Sequence, residues 1–187
     1  MTADGSKAAS CGRDKRVIVW DLMLRRAWKT LVHASEVICV GLSDEATIAA
    51  TGSGKHVLVW NVRQAAQTAS LMGHTQTVRC VAVANPSTII SGSQDTTLRV
   101  WARGPGAEHE WTCLRVLDGH AKTVRGIAVQ VQVVVSGSQD ETMRAWNLKT
   151  GQCMSTMSGH SGDIRSVALS VNGLRAVSGS FDHSVRV

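Results

Sequence analysis

The sequence predicts an all-β fold of repeated four-stranded antiparallel sheets, and three residue series recurring in phase predict it. Trp returns at Trp20, Trp60, Trp101 and Trp146, with spacings of 40, 41 and 45. Gly-His returns at Gly73-His74, Gly119-His120 and Gly159-His160, with Val32-His33 as a worn copy; the His spacings are 41, 46 and 40. Between them lie Ser91-Gly-Ser-Gln-Asp95, Ser136-Gly-Ser-Gln-Asp140 and Ser178-Gly-Ser-Phe-Asp182, and Ser10-Cys-Gly-Arg-Asp14 is an earlier copy. A fixed period decides architecture before any local reading does.

Each repeat divides into short runs. Val78 to Val83, Ser87 to Ser91, Leu98 to Trp101 and Thr112 to Leu117 are apolar or β-branched and are separated by Gly, Asn, Pro and Asp, the pattern of strands and turns. Four runs per repeat form one sheet, and radial stacking of such sheets buries both faces of each. Double burial accounts for near-continuous apolar runs such as Val131-Gln-Val-Val-Val. Helical periodicity is absent from the sequence.

Gly-His, Ser-Gly-Ser-x-Asp and Trp-Asp at this period resemble WD40 repeats, and the resemblance covers nearly the whole chain. It implies a β-propeller segment of about four and a half blades, belonging to a ring of about seven. Residues 1–32 supply the later strands of one blade, residues 33–73, 74–119 and 120–159 form whole blades, and residues 160–187 begin another. The last residue, Val187, stands one short of an expected Trp. A closed five-blade ring is the weaker arrangement, because the two end segments duplicate strands instead of complementing each other. An open arc predicts exposed sheet edges and apolar faces.

The same resemblance assigns the motif residues to support. His74, Ser91, Asp95 and Trp101 form one hydrogen-bonded set, and His120, Ser136, Asp140 and Trp146 another. His160, Ser178 and Asp182 lack a Trp, whereas Ser10, Asp14 and Trp20 lack a His. In the blade at His33, Thr51-Gly-Ser-Gly-Lys55 is one residue shorter and has no turn Asp, which predicts the least rigid blade. Ser, His and Asp together also match the members of a hydrolase triad. Recurrence of the set and its engagement with Trp favour structure, so no catalytic residue is assigned. Gly52-Ser-Gly-Lys55 lacks the spacing and following helix of a phosphate loop. The Gly-His residues are too far apart to share a metal, and no cofactor is expected.

Six Trp, one Phe and no Tyr accompany 20 Lys and Arg against 14 Asp and Glu, for a formal charge of +6. This balance suits nucleic acid, an acidic membrane surface or phosphorylated partners. No apolar run reaches the roughly 18 residues of a membrane helix, and residues 1–10 lack a signal-peptide core. Five Cys without a C-x-x-C pair predict reduced, buried thiols acting as small hydrophobes. A cytoplasmic or nuclear protein is expected, with no small-molecule substrate.

The functional signal is a phased set of arginines. Arg79, Arg125 and Arg165 each lie five positions after a Gly-His His; Arg99, Arg144 and Arg186 each lie two before a Trp site. Earlier blades hold Ile38, Ile18 and Leu58 there, so the pattern is no automatic product of the repeat. Strands one and three of a blade run the same way, which predicts six guanidinium groups near one rim, toward the central channel. A guanidinium fork matches phosphate and carboxylate. Thr77-Val-Arg-Cys80 and Leu98-Arg-Val-Trp101 resemble the F-box/WD-repeat substrate receptors of ubiquitin ligases, which implies binding of acidic or phosphorylated peptides. The alternative readings are local pairing of these Arg to Asp, an RNA-binding rim, and a structural segment of a larger multidomain protein. Trp28 and Trp111 are expected to cover blade edges, and the loop Gly104-Pro-Gly106 with Glu108, His109 and Glu110 to be solvated.

Overall fold

The computed structural model describes residues 1–2, 4–104 and 110–187, with no helix among them. Most of the loop after Gly104, residues 105–109, lies outside the described residues.

Five antiparallel sheets follow one another along the chain. The first contains β1 (Lys7–Cys11), β2 (Arg16–Asp21) and β3 (Arg26–Val32). The second contains β4 (Cys39–Leu42), β5 (Ile48–Ser53), β6 (His56–Asn61) and β7 (Ala66–Leu71). The third contains β8 (Val78–Asn85), β9 (Thr88–Ser93), β10 (Leu98–Arg103) and β11 (Trp111–Leu117). The fourth contains β12 (Val124–Gln130), β13 (Val133–Ser138), β14 (Met143–Asn147) and β15 (Cys153–Met157). The last contains β16 (Ile164–Leu169), β17 (Ala176–Ser180) and β18 (Val185–Arg186). Each sheet pairs its strands in sequence order, as short turns permit. These are propeller blades, and neighbouring blades touch through their first strands, β4 with β8, β8 with β12, and β12 with β16.

The core consists of four interfaces in series. Alternation along a strand sends successive side chains to opposite faces. In β10, Leu98 and Val100 therefore pack with Val124, Val134 and Trp146 of the next blade. Trp101 packs with Val57, Val59, Leu71 and Val78 toward the blade before. A ladder shift precedes each Trp of the repeating series, between Val19 and Trp20, Val59 and Trp60, Val100 and Trp101, and Ala145 and Trp146. The skipped residue lies on the outermost strand, Trp28, Thr68, Leu114 or Met154, so the bulge bends that strand.

The end blades are open. Trp20 is 37% exposed, whereas Trp60, Trp101 and Trp146 are 5% or less, and Val185 at the other end is 70% exposed. The blade of β16 to β18 is the least buried. In the His33 blade, expected to be the least rigid, Ala49, Ala50, Val57 and Val62 are fully buried. The Val131 run is corrected. Val131 is a turn residue with φ of 54° and is 73% exposed, and only Val133–Ser138 is strand.

All five Cys are free. Cys80 is buried among apolar neighbours, but Cys113 and Cys153 are exposed, against the expectation of buried thiols. They lie on β11 and β15, the outermost strands, which have solvent on one edge. Trp111 packs half-buried against the core between the second and third blades. Trp28 does so between the first and second, with Lys7 Nζ 5.4 Å from its ring.

Candidate functional site

The motif residues form a relay in each complete blade. His74 Nδ1 lies 2.8 Å from Asp95 Oδ2, and His74 Nε2 lies 2.8 Å from Ser91 Oγ. Trp101 Nε1 donates to Ser91 Oγ at 2.8 Å. An ionised Asp only accepts, so Nδ1 carries the proton; Nε2 then accepts from the Ser hydroxyl. The fourth blade repeats this relay through His120, Ser136, Asp140 and Trp146. The last blade repeats the part made by His160, Ser178 and Asp182. Ser91 and Ser136 are 0% exposed, so no substrate reaches either hydroxyl in this arrangement. In the second blade Thr51 Oγ1 joins His33 Nε2 to Trp60 Nε1, and Leu31 O takes the place of the carboxylate at His33 Nδ1. In the first blade Trp20 Nε1 donates to Ser10 Oγ, while Asp14 caps the N–H of Arg16.

The relay titrates in one direction. Burial lowers the pKa of His74 and His120 from the ordinary 6.5, against the pull of Asp95 and Asp140. Burial raises Asp140, but the Thr142 hydroxyl, the Ala121 N–H and His120 outweigh it and bring the carboxyl down to about 2. Both kinds of group hold fewer protons when folded than when unfolded. Stability is therefore full above pH 6.5 and falls in two acid steps. The first begins below 6.5 as the unfolded-state His residues protonate, and the second runs from 3.8 down to about 2. Urea midpoints measured against pH are expected to show both steps, and Asp140→Asn is expected to flatten the lower one.

The arginines sort into two rows. Arg79, Arg125 and Arg165 belong to the innermost strands β8, β12 and β16. In each case the ladder to the second strand skips that residue: Val78 pairs with Ser93 and Cys80 with Gly92, Val124 with Ser138 and Gly126 with Gly137, Ile164 with Ser180 and Ser166 with Gly179. All three arginines are thus β-bulge residues, and a bulge re-aims a side chain out of the pleat. Burial first, then the like charges of Arg165 and Arg79, lower the pKa of Arg125, as expected of three cations on adjacent strands. Arg165 meets Asp163 at 3.4 Å and lies 4.1 Å from the ring of Phe181, which is 59% exposed. Arg79 and Arg125 have no salt bridge among the described residues, and their buried Nε atoms have no acceptor. Local pairing to Asp therefore describes Arg165 alone. Gln139 Nε2 donates to Asp163 Oδ2 at 3.0 Å, tying two blades together beside this row.

Arg99, Arg144 and Arg186 sit two strands further out, on β10, β14 and β18, about 10 Å from the inner row. Arg99 Nη1 reaches Cys113 Sγ at 3.5 Å, and Arg144 Nη1 reaches Cys153 Sγ at 3.9 Å. A Cβ at Gly73, Gly119 or Gly159 would stand 2.8, 2.8 or 3.1 Å from Nη1 of Arg99, Arg144 or Arg186. The Gly of Gly-His thus seats the third-strand Arg of the blade that follows it. Where Val32 replaces that Gly, Leu58 replaces the Arg. Neither this seat nor the bulge has a signature in spacing alone. Among the described residues no three His, Cys, Asp or Glu converge on a metal-sized site.

The model of the WD40 domain, G-beta repeat, matches residues 1–21, 65–102, 111–147 and 151–187. The chain is 33% identical over 157 residues to protein tipD of Dictyostelium discoideum, covering 82% of this chain and 25% of that protein. It is 32% identical to ribosome biogenesis protein YTM1 of Coccidioides immitis, covering 68% of this chain and 30% of that protein. It is 28% identical to autophagy-related protein 16 of Arabidopsis thaliana, covering 92% and 34%. The chain thus spans 25–34% of the length of these three relatives. Among solved structures, that of U3-55K superposes with a TM-score of 0.84 at 26% identity, covering 99% of this chain and 58% of that one.

Proposed function

Because the chain belongs to the WD40 repeat family, whose propellers generally serve as protein-interaction scaffolds, we propose that it is a non-catalytic binding module whose inner rim takes an acidic or phosphorylated peptide. The observation that supports this reading is the bulge under each of Arg79, Arg125 and Arg165. Three successive blades break their ladder at the same place to turn a guanidinium outward, and two of the three groups have no carboxylate partner among the described residues. Unpaired, partly desolvated guanidinium groups favour an anionic ligand strongly, since charge-assisted bonds gain strength away from water. Arg99, Arg144 and Arg186 flank the row and extend the positive field.

Binding of a fluorescent phosphopeptide tests the reading. Arg79→Ala and Arg125→Ala are each expected to weaken it by about 1.5–3 kcal/mol per lost charged bond, with a smaller loss for Arg99→Ala. Equal binding by the wild type and the triple variant rejects the proposal. A role as a ubiquitin-ligase substrate receptor extends this reading through the likeness of Thr77-Val-Arg-Cys80 to that group, and a cytoplasmic or nuclear location goes with it.

A second reading, RNA, draws on the stack of Arg165 on exposed Phe181 and on the likeness to a protein named for ribosome biogenesis. Base stacking needs exposed rings, and Phe181 is the only Phe in a chain without Tyr. Steep salt dependence on RNA without preference for a phosphopeptide would favour it. A structural segment within a longer protein is the third reading.

A further inference from the structure

The second blade contains a cavity beside a turn that differs from those of its siblings. In the third, fourth and last blades the turn Asp accepts the N–H of the residue after the His: Asp95 from Thr75 at 2.9 Å, Asp140 from Ala121 at 2.9 Å and Asp182 from Ser161 at 3.1 Å. A hydroxyl two residues later, on Thr97, Thr142 or Ser184, donates to the same carboxylate. The second blade has lost one residue from this turn, so Ser53 pairs directly with His56, and both the carboxylate and its hydroxyl partner are gone. The corresponding N–H, on Ala34, has no acceptor among the described residues.

Two further replacements widen the gap. Leu58 stands where the sibling blades carry Arg99 and Arg144. Gln67 pairs with Trp60 as Cys113 pairs with Trp101. The result is a cavity of about 480 Å³ whose lining includes Ala34, Ser35, Ser53, Lys55, Leu58 and Gln67. Its charge is inverted relative to its siblings. Lys55 stands in the turn where they hold a carboxylate, and it makes no salt bridge among the described residues.

We infer that this cavity is a second binding site, separate from the arginine row, and that it takes the side-chain carboxylate of an acidic residue on a partner chain. That carboxylate occupies the position of the missing Asp. It accepts the Ala34 N–H as Asp95 accepts that of Thr75, pairs with Lys55, and lays its methylene stem against Leu58. A carboxylate fits better than a phosphate, because the siblings hold a planar two-oxygen acceptor there: Asp95 takes the His74 ring and the Thr75 N–H on one oxygen and the Thr97 N–H and hydroxyl on the other, and with His33 Nδ1 turned to Leu31 O the Ala34 N–H and Lys55 are the donors left for it.

N-acetylaspartate and inorganic phosphate, added separately to the full chain, test this by the amide shifts of Ala34, Ser35 and Lys55. N-acetylaspartate is expected to shift them saturably with a Kd of about 1–10 mM, equivalent to a few kcal/mol. Lys55→Glu, an exposed substitution, is expected to weaken that response at least tenfold, and Arg79→Ala to leave it unchanged. The assignment fails if no saturable shift appears, if phosphate binds the site more tightly, if Lys55→Glu has no effect, or if Arg79→Ala abolishes the response.

Discussion

Replacing Trp146 with alanine is expected to lower the unfolding free energy by about 3–5 kcal/mol, the cost of emptying a buried indole site. Trp146 is 1% exposed and packs with Ile90, Leu98, Val100 and Leu117 of the blade before it. The substitution leaves a cavity between two blades and removes the N–H that Ser136 accepts. Ser136 and His120 then lose the end of their relay in a buried setting, where an unmet polar group costs about 1–3 kcal/mol. Trp20 provides the control. It makes the same 2.8 Å bond to Ser10 but is 37% exposed, so Trp20→Ala is expected to cost less than half as much. Urea unfolding of both variants measures the difference. Equal losses would show that the hydrogen bond, and not inter-blade burial, governs the effect of these tryptophans.

The second large effect belongs to Gly137. This Gly of Ser-Gly-Ser faces the first strand of the next blade, and a Cβ there collides with Ile164 and approaches Val167 Cγ1 within 2.9 Å. Ile164 is 1% exposed and cannot retreat. Gly137→Val is expected to cost about 3 kcal/mol or more, since added volume in a packed core forces backbone shifts. Gly104→Val, where a Cβ meets nothing within 4 Å, is expected to stay within about 0.5 kcal/mol. Thermal unfolding of the pair checks both values. Gly92 repeats the contact against Val124 Cγ1 at 2.7 Å, so the motif glycine marks where blades come closest.

The fold was legible because its signals are local and periodic. Turn residues, alternating strands and phased Trp specify sheets without long-range information. The relay was legible only through family likeness, since the bonds of His74 to Ser91 and Asp95 cross 17 and 21 positions. The arginine site was half legible. Spacing revealed that Arg79, Arg125 and Arg165 are equivalent, but the bulge that turns them outward depends on a ladder to β9, β13 and β17 that no one-strand pattern encodes. The seat of the outer row was hidden for a related reason: a guanidinium settles into whichever groove has room, and at Arg99 that groove exists because residue 73 has no side chain. The exposure of Cys113 and Cys153 was hidden because a strand's position within its sheet, inner or outermost, leaves little mark on its composition.

The core described above is four contacts in a row, and this makes the molecule thermodynamically one-dimensional. Each blade's stability depends on its own hydrogen bonds and on the two neighbours it touches, as in other repeat arrays. Amide exchange should therefore be slowest in β9 and β13 and quicken toward both ends, with the last blade opening first. Damage at one seam loosens the two blades that share it and leaves distant ones intact, so a binding rim spread over three blades loses its alignment piecemeal before the chain unfolds as a whole.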